Sequence, residues 1–452
     1  MPRSAHHVPA RRPFRERRTP ALHGRRVPAR RVPPSGINLF QSIYVLLEEY
    51  QRRTGRPALN LSLGNPDGVP PEEVRRLEAA FAADPGYDFH TYAEDKNLLG
   101  FCEGMVELHG RIRLGDHPHL RAAPIAGIKT ATAVIPLACG LHLPDRRRRG
   151  RFVVASNLPA YDVVGTWSDS YLGARRVVWP LYSAENMRPC LARLKTALRR
   201  AKARRPDLVL VIRPGNPASV AAAAGEWKAL IEFCLERGSR LVNDAAYAGL
   251  ADEGHTPLAL VAKDYPELEW IELYSVSKSF SDPGARLGAL VGSRDFVEDY
   301  ITIKGNTDSG PVPALMAAYG RFFQDLPAAR RAMDSLRDLY RRRLDYAVCA
   351  LRKAGLRQAC STNAGFFTLW QAPRKALAAD VAEEARRRKL SLHEAYNRLV
   401  ISKTGIVGVH FAGFAPDGKP EPLVRYAVCA DVLDRGFQAR FEEQLARLQP
   451  EY

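Results

Sequence analysis

The 452-residue chain is 46% hydrophobic, 26% charged and 9% aromatic. That balance excludes a mainly disordered or fibrous polypeptide, and the length calls for two hydrophobic cores rather than one. The formal net charge is +18, but ten arginines against the single acid Glu16 put half of the excess in residues 1–36, so the basic character is mostly that of a tail and a nucleic-acid partner is not expected.

Residues 1–36 hold seven prolines and almost no large apolar side chains. Such a segment cannot offset its ordering entropy and is expected to be a disordered basic tail; it also lacks the apolar core of a secretory signal. INLFQSIYVLLEEYQRR then carries apolar residues at helical spacing, followed by ALNLSLGNPDGVPPEEV, a short strand, a turn, and a helix opened by Pro70 and Pro71. From about residue 85 to 295 short apolar runs alternate with helical stretches: PIAGI, RFVVAS, RRVVWPL, DLVLVIR, SRLVNDAA, WIELYSVS and ARLGALVG. Continuous rather than alternating apolar runs are what a sheet covered on both faces requires, so an α/β domain with a mostly parallel seven-stranded sheet is predicted.

A long helical stretch over 314–355, broken near Pro327, leads into a smaller α+β domain. That domain reads as a strand in AGFFTLWQAP, a charged helix over 376–398, strands in GIVGVHFAGF and PLVRYAVCA, and a terminal helix. The expected organisation is a tail (1–36), a segment joining the small domain (37–84), a large domain (85–320) and a small domain (321–452). The clusters RRRRGR (146–151) and ARRRKL (385–390) read as loop and helix-face charges, without the interleaved aromatics of a single-strand binder. No apolar run approaches the roughly 18 residues of a membrane span. The seven cysteines are scattered with no CxxC pair, which argues against a disulfide framework and a zinc site and fits a reducing cytoplasm.

The stretch that carries chemistry is SVSKSFSDPGAR, residues 275–286. It is weak alone but strong in register with Asn216-Pro217 and with DAAY at 244–247. With these elements the chain resembles the class I/II aminotransferases, the fold-type I enzymes that use pyridoxal 5'-phosphate, over roughly residues 40–445.

The resemblance implies a role for each residue, and each role has a physical reason. Lys278 is the implied catalytic residue: a primary amine of lowered pKa that holds the cofactor carbonyl as an imine and, once displaced by substrate, moves the Cα proton. Asp244 would keep the pyridine nitrogen protonated, and Tyr247 and Asn216 would reach the ring's phenolic oxygen. Arg286 and Ser275 would hold the phosphate, together with the backbone N–H groups of Thr130 and Ala131 where KTATA opens a helix. Tyr161 would stack on the ring. Arg425 would bind the substrate's α-carboxylate, which Gly64 lets the backbone approach closely. Tyr92 matches a tyrosine that reaches the phosphate of the neighbouring subunit's cofactor, so a homodimer with composite sites is implied.

The implied reaction moves an amino group from an α-amino acid to a 2-oxo acid in two half-reactions. NTDSG (306–310) is similar to the corresponding loop of LL-diaminopimelate aminotransferases. Departures from the family pattern are Ala218-Ser219 after Pro217, Asn97 where glycine is usual, and Lys129, a second amine near the expected phosphate. Lys304 could bind an acidic substrate side chain or be solvated, and His410 reads as a packing or hydrogen-bonding histidine. Two alternatives stay open from sequence: another reaction with the same cofactor (decarboxylase, lyase, cyclase or oxidase), and a non-catalytic or nucleic-acid-binding protein on this scaffold.

Overall fold

The computed structural model describes residues 39–143, 151–161 and 172–452. The expectations for the tail of residues 1–36 and for the arginines at 146–149 therefore fall outside the described residues. All seven apolar runs form strands of one sheet: β1 (Leu120–Ile125), β2 (Val153–Leu158), β3 (Arg175–Pro180), β4 (Leu208–Ile212), β5 (Arg240–Asp244), β6 (Trp270–Ser275) and β7 (Gly288–Ser293). Their spatial order is β1-β7-β6-β5-β4-β2-β3. Only β7 runs against its neighbours, antiparallel to both β1 and β6. Every residue of β4 and β6 is buried, as helices on both faces demand.

This topology decides where chemistry can sit. Ile125, Leu158, Ile212, Asp244 and Ser275 all end strands that point the same way, and β7 starts at that edge, just after Arg286. The loops GIK, LPAY, RPGNP, DAAY and SVSK are therefore gathered along the carboxyl edge of the sheet, where open α/β folds bind ligands.

The smaller sheet consists of β8 (Phe367–Gln371), β9 (Val409–Phe414) and β10 (Pro420–Ala427), antiparallel in the order β9-β10-β8. A 28-residue helix, Leu326–Lys353, joins the two parts. Ala329 and Met333 at its start belong to the large core, and Tyr340, Leu344, Ala347 and Leu351 to the small one. Pro327 lies in its first turn, where a missing N–H costs nothing, and Asp325 Oδ1 caps Ala328 N–H at 3.0 Å.

Two sequence expectations change in detail. The segment 37–84 divides: the helix Leu39–Thr54 sets Ile43 against Ile401, Val407 and Val409, and Leu59-Asn60 pairs in parallel with Ile406-Val407, but Val74 of the helix Glu72–Ala83 enters the large core. The charged helix expected over 376–398 is two helices, Val381–Arg388 and Leu392–Thr404. The first ends at Lys389 with φ +55°, and the Ser391 side chain accepts from Glu394 N–H to start the second.

Candidate active site

Lys278 lies on a single helical turn, Val276–Ser279, directly after β6. Its ammonium donates to the Gly64 carbonyl at 2.9 Å and lies 5.9 Å from the Phe366 ring centroid. Burial pulls this amine from 10.5 down to about 8; the Cys429 thiol opposes the shift, and the Arg286 and Arg425 cations add to it. The lowered pKa raises the neutral, nucleophilic fraction of this amine well above that of an ordinary lysine at the same pH.

Asp244 ends β5, the central strand with three strands on either side, and its Oδ1 accepts the Ala246 N–H at 3.1 Å. Burial raises its carboxyl to about 6, with that hydrogen bond opposing. Tyr247 follows, buried, with its ring edge-on to Phe366 and Phe367 at 5.5 and 5.4 Å. Burial raises its phenol above the ordinary range, and the Arg425 cation works against that rise.

Arg425, from the centre of β10, is 1% exposed. It donates from Nη1 to Asn216 Oδ1 at 2.7 Å and from Nη2 to the Ser62 carbonyl, and its guanidinium covers the Phe367 ring at 4.2 Å. Its Nε is buried without a partner. Burial lowers its pKa to about 10. A buried cation with no carboxylate at hand among the described residues and an orphaned donor is built for an anionic ligand rather than for stability. Gly64 fits the same reading: a Cβ there would stand 2.7 Å from Phe367 Cζ, so only glycine lets this backbone lie between Lys278 and the Phe367 ring.

An anion cradle lies at the other end of the group. Gly127 precedes the helix Ile128–Pro136 with φ +84°, and a Cβ on it would be 2.7 Å from Arg286 Nη2. The arginine side chain therefore lies over the helix N-terminus, where cation and helix dipole favour the same charge. Ser275 Oγ accepts the Ser277 N–H at 3.1 Å and lies 2.8 Å from Ser277 Oγ.

One expected assignment is corrected here. The N–H groups of Thr130 and Ala131 both point to the Gly127 carbonyl at 3.2 Å. The amides without an acceptor one turn back are those of Ile128 and Lys129, because a helix leaves its first N–H groups free. The Lys129 side chain is exposed.

The remaining predicted residues fall at the margin or outside. The Tyr161 N–H donates to the Asn216 carbonyl at 2.6 Å, and its ring is 44% exposed. Tyr92 is 75% exposed. Asn97 is structural, its Oδ1 accepting the Cys102 N–H at 2.8 Å. Lys304 is neither solvated nor directed at a substrate: it is buried, donates to the Glu94 carbonyl and lies 3.8 Å from Asp308. His410 contacts Asn397 at 3.4 Å, and burial lowers it to about 4. Sequence reasoning passed over Ser277, which adjoins Lys278, and Phe366 and Phe367, whose rings wall the space between Lys278, Tyr247 and Arg425. The FF pair in AGFFTLW was the available signal.

The chemistry of this donor set fits pyridoxal phosphate: an arginine with free helix amides for a phosphate, a carboxyl for a ring nitrogen, an amine of lowered pKa for an aldehyde, and a second arginine for a carboxylate. Fold and site together define an enzyme that transfers amino groups. Residues 56–405 match the family model "Aminotransferase class I and II", and the chain belongs to that family. The LL-diaminopimelate aminotransferase of Nitratidesulfovibrio vulgaris (strain DSM 19637 / Miyazaki F) is 26% identical over 402 residues, covering 88% of this chain and 94% of that protein. The enzyme of the same name from Syntrophobacter fumaroxidans is 26% identical over 396 residues, 87% and 92% of the two chains. Among solved structures, a double mutant of Thermus thermophilus aspartate aminotransferase matches with TM-score 0.70 at 18% identity, over 94% of this chain and 99% of that one. An aromatic aminotransferase from Pyrococcus horikoshii OT3 matches with TM-score 0.69 at 17% identity, over 90% and 98%. No helix among the described residues is long and apolar enough to cross a membrane.

Proposed function

We propose that this aminotransferase uses pyridoxal 5'-phosphate to move the amino group of an α-amino acid to a 2-oxo acid, with Lys278 as its catalytic residue. The observation that carries the reading is a pair of basic groups on one loop: a half-buried amine lowered to about 8 that donates to the Gly64 carbonyl, and a buried guanidinium with an unpartnered Nε that donates to the Ser62 carbonyl. When bound, the cofactor supplies an aldehyde carbon for a primary amine and a ring that accepts electron density from the bond being broken.

The chain's own residues do the rest. Arg425 takes the substrate carboxylate through its guanidinium, giving up its contacts to Asn216 and the Ser62 carbonyl. That orients the substrate's Cα toward Lys278 Nζ. Lys278, neutral in part near pH 8, would take the substrate's Cα proton on its Nζ and hold it for return within the site. Asp244, with its carboxyl near 6, is mostly ionised at neutral pH and would keep a proton on the ring nitrogen. Tyr247 and Asn216 would reach the ring oxygen, and Tyr161 would cover the ring face. Arg286, Ser275 and Ser277 and the Ile128 and Lys129 amides would hold the phosphate. The exposure of Tyr92 supports a homodimer in which this ring enters the neighbouring site, and seven free cysteines support a reducing, cytoplasmic setting.

The test is spectroscopic. The purified protein shows the visible absorbance of a lysine-bound cofactor, single amino donors discharge it in one stoichiometric half-turnover, and Lys278→Ala abolishes both. Repeated turnover with ammonia or carbon dioxide released in the absence of a 2-oxo acid would replace transamination by a lyase or decarboxylase reading.

A further inference from the structure

Lys278 stands on a helical turn of only four residues, Val276–Ser279. One turn is little held by its own backbone hydrogen bonds, so the side chains that anchor it decide where the amine stands. The neighbour before the lysine is anchored locally, Ser277 Oγ lying 2.8 Å from Ser275 Oγ. The neighbour after it is anchored across the fold: Ser279 Oγ lies 2.8 Å from Nε2 of His109, 170 residues earlier in the chain. The Ser279 hydroxyl has no other hydrogen-bond partner among the described residues.

His109 is 3% exposed and comes from the π-helical turn Val106–Gly110, which continues the helix Phe101–Met105. Its Nδ1 lies 3.0 Å from the Met105 carbonyl, which can only accept, so Nδ1 carries the proton. Nε2 is then a bare acceptor, and the Ser279 hydroxyl donates to it. Burial lowers this imidazole to about 4, the Met105 carbonyl opposing and the Arg330 cation adding, so the ring is neutral near pH 7 and keeps that lone pair for Ser279. The ring stacks on Tyr274 of β6 at 5.4 Å and stands edge-on to Phe280 at 6.5 Å. It is thus wedged between the strand that leads into the lysine's turn and the residue that follows it. An apolar pair would fill the same space with no polar group to desolvate, so what the polar pair adds is direction.

We propose that His109 is a positioning residue for Lys278: by accepting the Ser279 hydroxyl it fixes the turn that carries the lysine and so keeps Nζ beside the Gly64 carbonyl, where the proton transfer takes place. The proposal rests on the reading of Lys278 as the catalytic residue. His109 itself bonds to none of the groups that would hold substrate or cofactor; it acts through Ser279. A proton transfer depends steeply on the distance and direction of the base, and a misplacement of about 1 Å can cost about a hundredfold in rate. A buried hydroxyl deprived of its acceptor turns toward another, and a four-residue turn has little to hold it back.

The experiment compares three substitutions in the full-length protein. His109→Phe keeps a ring on Tyr274 and offers no acceptor, Ser279→Ala removes the donor, and His109→Gln restores an acceptor through its Oε1. In the cofactor-loaded enzyme, His109→Phe and Ser279→Ala should each lower kcat at least about tenfold with KM for the amino donor within about twofold of wild type, and the double variant should be no worse than either. His109→Gln should recover most of the loss. A second readout needs neither cofactor nor turnover: the pH midpoint for acetylation of Lys278 by acetic anhydride, followed by peptide mass spectrometry on the cofactor-free protein. It should rise by at least about half a pH unit in His109→Phe and Ser279→Ala, as the amine leaves its buried place, and return in His109→Gln. A hydrogen bond that only stabilises the fold would lower Tm and leave both readouts unchanged; that result overturns the proposal, as do additive losses in the double variant. If His109→Phe does not fold, Ser279→Ala decides by the same two readouts. If the wild type lacks the visible absorbance of a lysine-bound cofactor, the cofactor reading fails, and the acetylation midpoint still decides whether His109 positions the amine.

Discussion

A lysine amine held at about 8 instead of 10.5 leaves a mark on stability that can be measured without catalysis. At about 1.4 kcal/mol per pKa unit, the protonated amine costs the cofactor-free folded state about 3 kcal/mol relative to the unfolded chain. Lys278→Met keeps the length of the side chain and removes the charge. Below pH 8 the wild-type lysine is protonated in both states, so the variant is more stable by most of that amount. Between pH 8 and 10.5 the unfolded chain binds more protons than the folded one. Wild-type stability therefore rises with pH, and the gap closes. Loss of the hydrogen bond to the Gly64 carbonyl subtracts about 1 kcal/mol at every pH, so the pH dependence of the gap is the test rather than its absolute size. Urea unfolding of the cofactor-free proteins at several pH values from neutral to alkaline measures it. A gap that stays constant across that range would refute burial as the origin of the lowered pKa.

Other substitutions test the site piece by piece. Asp244→Asn carries the opposite pH signature. A carboxyl raised from 3.8 to about 6 costs the folded state nothing below its unfolded pKa and up to about 3 kcal/mol above 6, so the variant's stability advantage opens between pH 4 and 6 in unfolding curves, while cofactor affinity falls. Arg425→Lys loses the fork that reaches Asn216 and the Ser62 carbonyl; steady-state kinetics should show kcat/KM down about a hundredfold, mainly through KM, and an unchanged KM would remove Arg425 from the carboxylate site. Gly127→Ala forces a methyl to within 2.7 Å of Arg286 Nη2 at φ +84°, so equilibrium titration should show cofactor binding weakened by at least about tenfold. Glu272→Leu strands four donors, Asn243 Nδ2, the Tyr274 hydroxyl and the Leu258 and Ala259 N–H groups. It should cost about 3–5 kcal/mol of stability in urea unfolding, with the kcat of the folded fraction unchanged.

Much of the fold could be read in advance because burial on both faces leaves a mark in composition. All seven strands of the large sheet coincide with apolar runs, whereas the reversed direction of β7 has no counterpart in ARLGALVG, since side-chain pattern is the same whichever way a strand runs. The break at Lys389 was hidden by the charge run around it, which continues through the left-handed residue. Spacing singled out Lys278, Asp244, Asn216, Arg286 and Arg425, and the fold brings them to one edge of the large sheet because each lies on a strand or within a few residues of one. The helix amides were placed two residues too far along, since the first free N–H depends on where the cap falls, and Gly127 marks that only once its φ is known. Lys304 misled for a related reason: its buried partner is a backbone carbonyl, which no sequence pattern displays. Glu272, a lone acid inside WIELYS, was the visible sign of a buried polar network whose partners are Tyr274 of the same strand and residues of two other segments.

The helix Leu326–Lys353 has a consequence for how the molecule comes apart. A chain with two cores would ordinarily melt in two steps. Here one helix, about 42 Å long at 1.5 Å per residue, has its first turns in one core and its later turns in the other. Dissolving the small core would leave half of that helix unsupported in water, where an isolated stretch of its length is barely stable. Arg343 adds a clasp from the same half to Asp67 and to the Cys429 carbonyl. The two cores are thus thermodynamic hostages to each other, and Arg425 of the small sheet and Lys278 of the large one lose their common setting in a single transition.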